Sequence, residues 1–238
     1  MPDFTTRSNQ KEILDRDDIP FADISRNMQE LEFINKYLGG HQITLSGLNK
    51  LIKSSEQANH RFHICEIGCG GGDNLKAIYN WGNKNGLQFS FTGIDINKEC
   101  IQHAKQHCAI PLVQWIESDY KLVQFTECPD IIFSSLFSHH FTNEDLIKQY
   151  KWMKHSARLG FFVNDLHRHP LAFYSIKLLT RLFSKSYLVK NDAPLSVLRG
   201  FSKDELNSLL QQSGCQNPMI EWKWAFRWLI TYHKQKGK

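Results

Sequence analysis

Phe62-His63-Ile64-Cys65-Glu66-Ile67-Gly68-Cys69-Gly70-Gly71-Gly72-Asp73 decides how this chain folds. An apolar run of strand type meets an acidic residue, glycines follow, and a helical pattern begins at Asp73. A strand that turns into a helix through glycines lets the backbone come close to a ligand, because no Cβ stands in the way. A dinucleotide fingerprint would put a third glycine where Asp73 stands, and a carboxylate there repels a pyrophosphate. A Walker-type phosphate loop needs Gly-Lys and then Ser or Thr, which do not follow.

Working outward, strands and helices alternate. Gln88 to Ile94 reads as a strand ending at Asp95, and Asn97 caps a helix through Cys108. Pro111 to Ile116 is a strand ending near Asp119, and Asp130 to Phe133 is another. A helix capped by Thr142 or Asn143 runs to Ser156, and Leu159 to Val163 is a strand that ends at Asn164-Asp165. Such alternation with short links predicts an α/β fold with a doubly wound, mostly parallel sheet.

Two N-terminal helices precede it. Met28, Leu31, Ile34 and Leu38 recur at helical spacing, with an opening at Asp23-Ile24-Ser25 and a glycine stop at Gly39-Gly40. Leu45, Leu48, Leu51 and Ile52 mark a second helix from Thr44 to Ala58. This pair either covers a sheet face or forms a lid over the ligand crevice. Toward the C-terminus, Pro170 opens a helix through Leu182, Ser184 to Asp192 reads as a polar segment, and Ser202 with Glu205 forms a capping box. Residues 220 to 232 alternate with period two, predicting an antiparallel strand pair, bent near Ala225, at the sheet edge.

The chain has 238 residues, 41% hydrophobic and 22% charged, enough for one α/β domain with additions. The net charge of +5 is spread along the chain, apart from a frayed Lys-rich end at 234–238, so no specific nucleic-acid partner is expected. None of the 6 cysteines forms a C-x-x-C pair, which argues against a zinc finger or ribbon and for reduced thiols in a cytoplasmic protein. The polar N-terminus lacks an export signal, and no apolar run approaches the ~18 residues of a membrane span.

Glu66-x-Gly68-x-Gly70 resembles motif I of the class I S-adenosylmethionine-dependent methyltransferases. Asp95, Asp119 and the strand exit Ser134-Ser135-Leu136 resemble that family's later motifs in the same order, over residues 61 to 165. The resemblance implies S-adenosylmethionine as cofactor, whose cationic sulfonium and ammonium suit carboxylates near the turn. It implies a Rossmann-like fold with residues 1–60 as a helical cap. Residues 61–238 would be the cofactor-binding domain, with a helical insertion at about 170–200. The cofactor contacts it implies are Glu66, Gly68, Cys69, Gly70, Asp95, Ile96, Asp119, Tyr120, Ser134 and Ser135. In this scheme Asp95 accepts from the ribose hydroxyls, Ile96 packs on adenine and Asp119 accepts from the adenine amine.

The crevice of such a sheet lies beyond the carboxyl ends of its strands, so the acceptor site is sought after the fourth and fifth strands. There stand His139 and His140, and Asp165, His167 and Arg168. One of His139, His140 or His167 would take the proton of an oxygen acceptor, or the His139-His140 pair simply packs. Asp165, Arg168 and Arg199 are the candidate acceptor contacts. Carboxylates are too few here to expect a metal. The region around Asp165 and Arg199 resembles bacterial methyltransferases of polyketide and phenolic products. The acceptor it implies is small and aromatic or lipid-like, of polyketide or quinone type, methylated at oxygen. An RNA or protein methyltransferase, or a non-catalytic cofactor-binding regulator, are the alternatives.

Overall fold

The computed structural model describes residues 2–16, 18–55 and 60–234. Two helices, α1 (Phe21–Tyr37) and α2 (Gly40–Lys53), come first. Alternation follows: β1 (Arg61–Ile67), α3 (Asp73–Lys84), β2 (Gln88–Asp95), α4 (Lys98–His107), β3 (Val113–Glu117), β4 (Ile131–Ser135), α5 (Asn143–Ser156) and β5 (Gly160–Leu166). The chain closes with α6 (Pro170–Phe183), α7 (Tyr187–Arg199), α8 (Lys203–Gln212), β6 (Met219–Lys223) and β7 (Arg227–His233). The 7-stranded sheet has the order β3-β2-β1-β4-β5-β7-β6. β1 to β5 pair in parallel and β7 pairs antiparallel to both β5 and β6. The order reverses between β1 and β4, which opens a crevice at their carboxyl ends.

Neighbouring residues of the central strands point to opposite faces, and both faces are dry. Cys65, Ile132, Phe161 and Ile230 pack under α5 and α8. Ile64, Ile131, Phe162 and Leu229 pack under α2 and α3. Covered on both sides, the strands read as near-continuous apolar runs. Thr142 caps α5 through the Asp145 amide, and Ser202 with Glu205 closes the capping box of α8.

α2 lies flat on the sheet: a Cβ on Gly47 would come within 2.7 Å of the Phe162 ring. Asn27, Leu31 and Ile34 of α1 line a cavity together with Leu136 and His139, which follow β4.

Element boundaries differ from the sequence expectation where tertiary contacts outweigh local signals. α1 begins at Phe21 after Pro20. Gly39, left-handed and one residue past the C-cap Leu38, stops α1 as expected and is at the same time the N-cap of α2, which therefore starts at Gly40 rather than Thr44. α2 stops at Lys53, and the expected end at Ala58 lies outside the described residues, as does the tail at 235–238. The polar segment at 184–192 is largely helical. Ser186 caps α7, and buried Leu188, Val189 and Val197 carry that helix through Pro194 despite the lost backbone donor. His103 of α4 is buried against Ser25 of α1 and stacks on His107 at 4.1 Å. Of the C-terminal pair, β7 is an interior strand and β6 lies at the edge.

Gly47→Val would press a branched side chain into Phe162. The substitution is expected to destabilise the protein by about 1–3 kcal/mol, read as a lower urea midpoint by tryptophan fluorescence. An unchanged midpoint would mean that α2 is not seated on β5.

Candidate active site

The glycine turn is fastened to the end of β2. Gly68 and Cys69 donate their amides to Ile94 O at 2.8 and 3.1 Å, and Gly70 donates to Asp95 Oδ2 at 2.9 Å. Asp95 Oδ1 accepts from the Asn97 amide at 2.9 Å. Each carboxylate oxygen keeps room for a second donor, and burial pushes the Asp95 pKa up. Gly70 takes a positive φ of 50°, and a Cβ there would meet nothing within 4 Å, so this side of the turn is open. Exposed Ile96 borders Asp95.

Glu66 stands beneath the turn, 1% exposed. Its Oε1 accepts from Asn74 Nδ2 at 2.9 Å, while Oε2 has no partner among the described residues. Burial pushes its pKa well up, and Asp73 and Asp95 push the same way. A buried carboxylate oxygen without a donor calls for a cation or N–H group from a ligand. Glu66, Gly68, Gly70 and Asp95 are thus drawn together, and Asp119 stands at the next strand exit, where it caps the Lys121 amide. Cys69 is buried with its thiol pKa raised by desolvation, which makes it inert.

Other expected cofactor contacts face inward. Tyr120 is buried edge-on against Trp152, Phe137 and Phe141. Ser134 is fully buried and lies 3.4 Å from Ser138 Oγ, and Ser135 Oγ accepts from Asn164 at 3.4 Å. The strand exit therefore approaches the turn through Phe137 instead: a Cβ on Gly68 would fall 2.1 Å from its ring.

A second group of side chains assembles on the other side of Phe137. Asp165, 1% exposed at the end of β5, accepts from the amides of Ser138 at 2.8 Å and His139 at 3.3 Å. Its Oδ1 also holds His139 Nδ1 at 2.7 Å. His139 Nε2 faces Glu12 Oε1 at 3.5 Å. His140 bonds Asp15 through Nδ1 at 2.9 Å, and its Nε2 lies 3.8 Å from Glu12 Oε2. Burial works against a charge on His139, but Asp165 and Glu12 outweigh it and raise its pKa to about 9. Burial likewise opposes the charges of Asp165 and Glu12, and the histidine holds both carboxyls below their ordinary range. Glu12, His139 and His140 each present one ligand-type atom, all within 4.8 Å. A proton on His139 already balances Glu12.

Glu12 and Asp15 are the functional candidates that sequence reasoning missed. The signal available was an i, i+3 carboxylate pair flanking Ile13-Leu14 inside an otherwise polar segment. The segment is held from α7: Asp192 accepts from the Ile13 and Leu14 amides at 2.9 and 3.0 Å, and Ser196 donates to Glu12 at 2.7 Å.

These groups form the floor of a cavity of about 320 Å³. Its walls are apolar: Leu31 and Ile34 from α1, Ile176 and Leu179 from α6, Val189 and Val197 from α7. His139 and His140 line it, whereas His167, Arg168 and Arg199 do not. His167 pairs with Phe201 as the chain leaves β5, which turns its ring onto Trp228 and lets its Nδ1 accept from Trp222. Arg168 grips Glu205 with two hydrogen bonds and donates to the carbonyls of Phe4, Thr5 and Gly200. Arg199 donates to the carbonyls of His139, His140 and Gln10. Their donors are committed to the protein itself, outside the cavity lining. Asp165 likewise lies outside that lining and touches His139, which is in it.

Residues 64–176 match the sequence model of a methyltransferase domain. No protein of curated function matches the chain by sequence. Human N-acetylserotonin methyltransferase, solved with S-adenosylmethionine, aligns with a TM-score of 0.63 at 18% identity, over 91% of this chain and 57% of that one. The present chain thus spans little more than half of the human enzyme. The plantazolicin methyltransferase with S-adenosylhomocysteine aligns at 0.60 and 18% identity over 89% of each chain. Magnesium protoporphyrin IX methyltransferase from Synechocystis, also with S-adenosylhomocysteine, aligns at 0.56 and 14% identity over 85% of this chain and 87% of that one. Residues 64–176 thus carry a methyltransferase domain, and the chain shares the fold of methyltransferases solved with S-adenosylmethionine or S-adenosylhomocysteine.

Proposed function

We propose that the chain methylates an oxygen of a small aromatic or lipid-like acceptor held in the apolar cavity. The observation that carries this reading is His139 on the floor of that cavity, held from behind by buried Asp165, one strand exit away from the open glycine turn. The turn suits S-adenosylmethionine: Glu66 keeps an unpartnered oxygen for its ammonium, Gly70 leaves space, and Asp95 retains acceptor positions for the ribose. When bound, that cofactor supplies a methyl group on a sulfonium, open to in-line displacement. The chain's own residues exclude water, orient the acceptor and receive its proton.

Among the candidate histidines, His139 is the better-placed proton acceptor. Asp165 fixes its tautomer so that Nε2 points to the cavity floor, where Glu12 now faces it. Residues 1–60 act as a cap over the catalytic unit 61–238, and the helices at about 170–200 wall the acceptor chamber. A chamber of about 320 Å³ walled in part by α1 suits a small molecule better than an RNA or protein chain. The 6 unpaired cysteines suit the cytoplasm.

The cofactor assignment is tested by calorimetry. S-adenosylhomocysteine is expected to bind, and Asp95→Ala to weaken it about tenfold to a hundredfold, the worth of hydrogen bonds to a charged group. Binding of NADH in its place would sink the reading.

The base assignment has a pH signature. Below a pKa of about 9 His139 carries a proton and cannot accept another, so kcat/KM with phenolic acceptors should climb with pH toward 9. Asp165→Asn removes a carboxylate that raises that pKa, so the climb should move to lower pH. His139→Ala should lose about 100- to 10,000-fold in turnover with cofactor affinity unchanged. A flat profile, or full turnover in His139→Ala, removes His139 as base.

Turnover is expected to withstand EDTA. Loss with EDTA that a divalent cation restores would assign Glu12, His139 and His140 as metal ligands instead.

A further inference from the structure

The apolar cavity opens onto an apolar surface. Leu179 and Trp224 line the cavity and are also exposed, at 41% and 68%, so they mark its mouth. Around that mouth α6 turns Leu171, Tyr174, Leu178 and Leu182 outward at helical spacing, and Phe183 follows. Phe33 and Tyr37 on α1 pack with ring centroids 4.4 Å apart and planes tilted at 40°, next in sequence to the cavity-lining Ile34 and Leu38. Exposed apolar side chains scattered singly need no explanation, but a continuous face around a pocket mouth does.

The charges that α6 brings to this face are of one sign, while half-buried Glu30 of α1 accepts from the Lys185 amide. In sequence α6 carries Lys177 and Arg181, both exposed, and no acidic residue, and exposed Lys185 comes next. Glu32 on α1 is the exposed acid beside Phe33. Aliphatic and aromatic side chains on one helix face, with Lys and Arg at its flanks, fit the boundary between headgroups and acyl chains. With 14 residues α6 is about 21 Å long, and no described helix is long and apolar enough to cross a membrane. α6 would therefore lie along the surface.

We propose that this face, built from α6, the Phe33–Tyr37 shoulder of α1 and Trp224, docks on an anionic lipid surface with the cavity mouth turned toward the bilayer. Hydrophobic side chains enter the interface, Lys177, Arg181 and Lys185 meet the lipid phosphates, and a lipid-dissolved acceptor reaches His139 without crossing water. The last step rests on the function proposed above, and the docking does not.

Flotation of the full chain with phosphatidylcholine vesicles, with and without phosphatidylglycerol, tests it. The protein is expected to float with the anionic vesicles. Leu178→Glu/Leu182→Glu, at two exposed positions outside the cavity, should cut binding about tenfold or more. Lys177→Glu/Arg181→Glu should cut it roughly thirtyfold or more, the effect of removing two cations from an anionic surface. S-adenosylhomocysteine calorimetry on the same samples reports folding and the cofactor site separately. If no sample binds that ligand, the methyltransferase reading fails whatever floats. No flotation of the wild type, or equal flotation of wild type and variants, overturns the docking. A dimer that Leu178→Glu/Leu182→Glu splits, with no vesicle binding, would give the face to a second copy of the chain instead.

Discussion

A carboxylate buried at the end of a strand has to find donors, and Asp165 finds them on both of its oxygens. The amides of Ser138 and His139 reach one, and the His139 ring and the Leu166 amide reach the other. An unsatisfied charge there would be prohibitively unfavourable. The loop after β4 is therefore drawn down onto β5, and Leu136 accepts a left-handed φ of 52° to let it happen. The same descent lays Phe137 against Gly68 and sets His139 on the cavity floor. Arg7 and Arg199 then close over the loop from outside by taking its free carbonyls. One buried anion thus ties the fourth strand's exit to the fifth and both to the helices that follow.

The N-terminal segment is held to the core as much by charge as by packing. Glu12 balances His139, Asp15 meets His140 and Arg199, and the Asp192 carboxylate receives two amides of the segment. Alternating charges from the first residues of the chain and from its last third meet at one point. Local partners satisfy them only in part: Asp15 accepts from the Glu12 amide and Asp192 from Asn191, and the remaining contacts cross the chain. That arrangement needs the complete fold before any of its members is comfortable.

The parts legible in the sequence are the local ones. The glycine turn announces itself because its amides bond the next strand end within thirty residues, and the strands because both their faces are apolar. Asp95 and Glu66 sit at strand ends that periodicity alone locates. Glu12 is different: its partner His139 lies 127 residues away, and nothing near Glu12 marks it as buried. His167 shares a short segment with Asp165 and looks equivalent to it, yet one bridge to Phe201 turns it out of the site. Arg168 and Arg199 read as ligand contacts because arginines near a crevice usually are exposed. Here their donors meet backbone carbonyls that sequence cannot place. Pro194 stops a helix in isolation, whereas buried neighbours carry α7 past it.

The cavity and the turn draw on different parts of the chain. The turn and its carboxylates come from β1 and β2, inside the matched domain. The cavity walls come largely from α1, the end of α6, and α7, segments before the domain or at and beyond its end. Substitutions in the walls therefore leave the methyl-donor half untouched. A change of side chain in α1 or α7 reshapes the cavity while the turn keeps its hydrogen bonds to the end of β2.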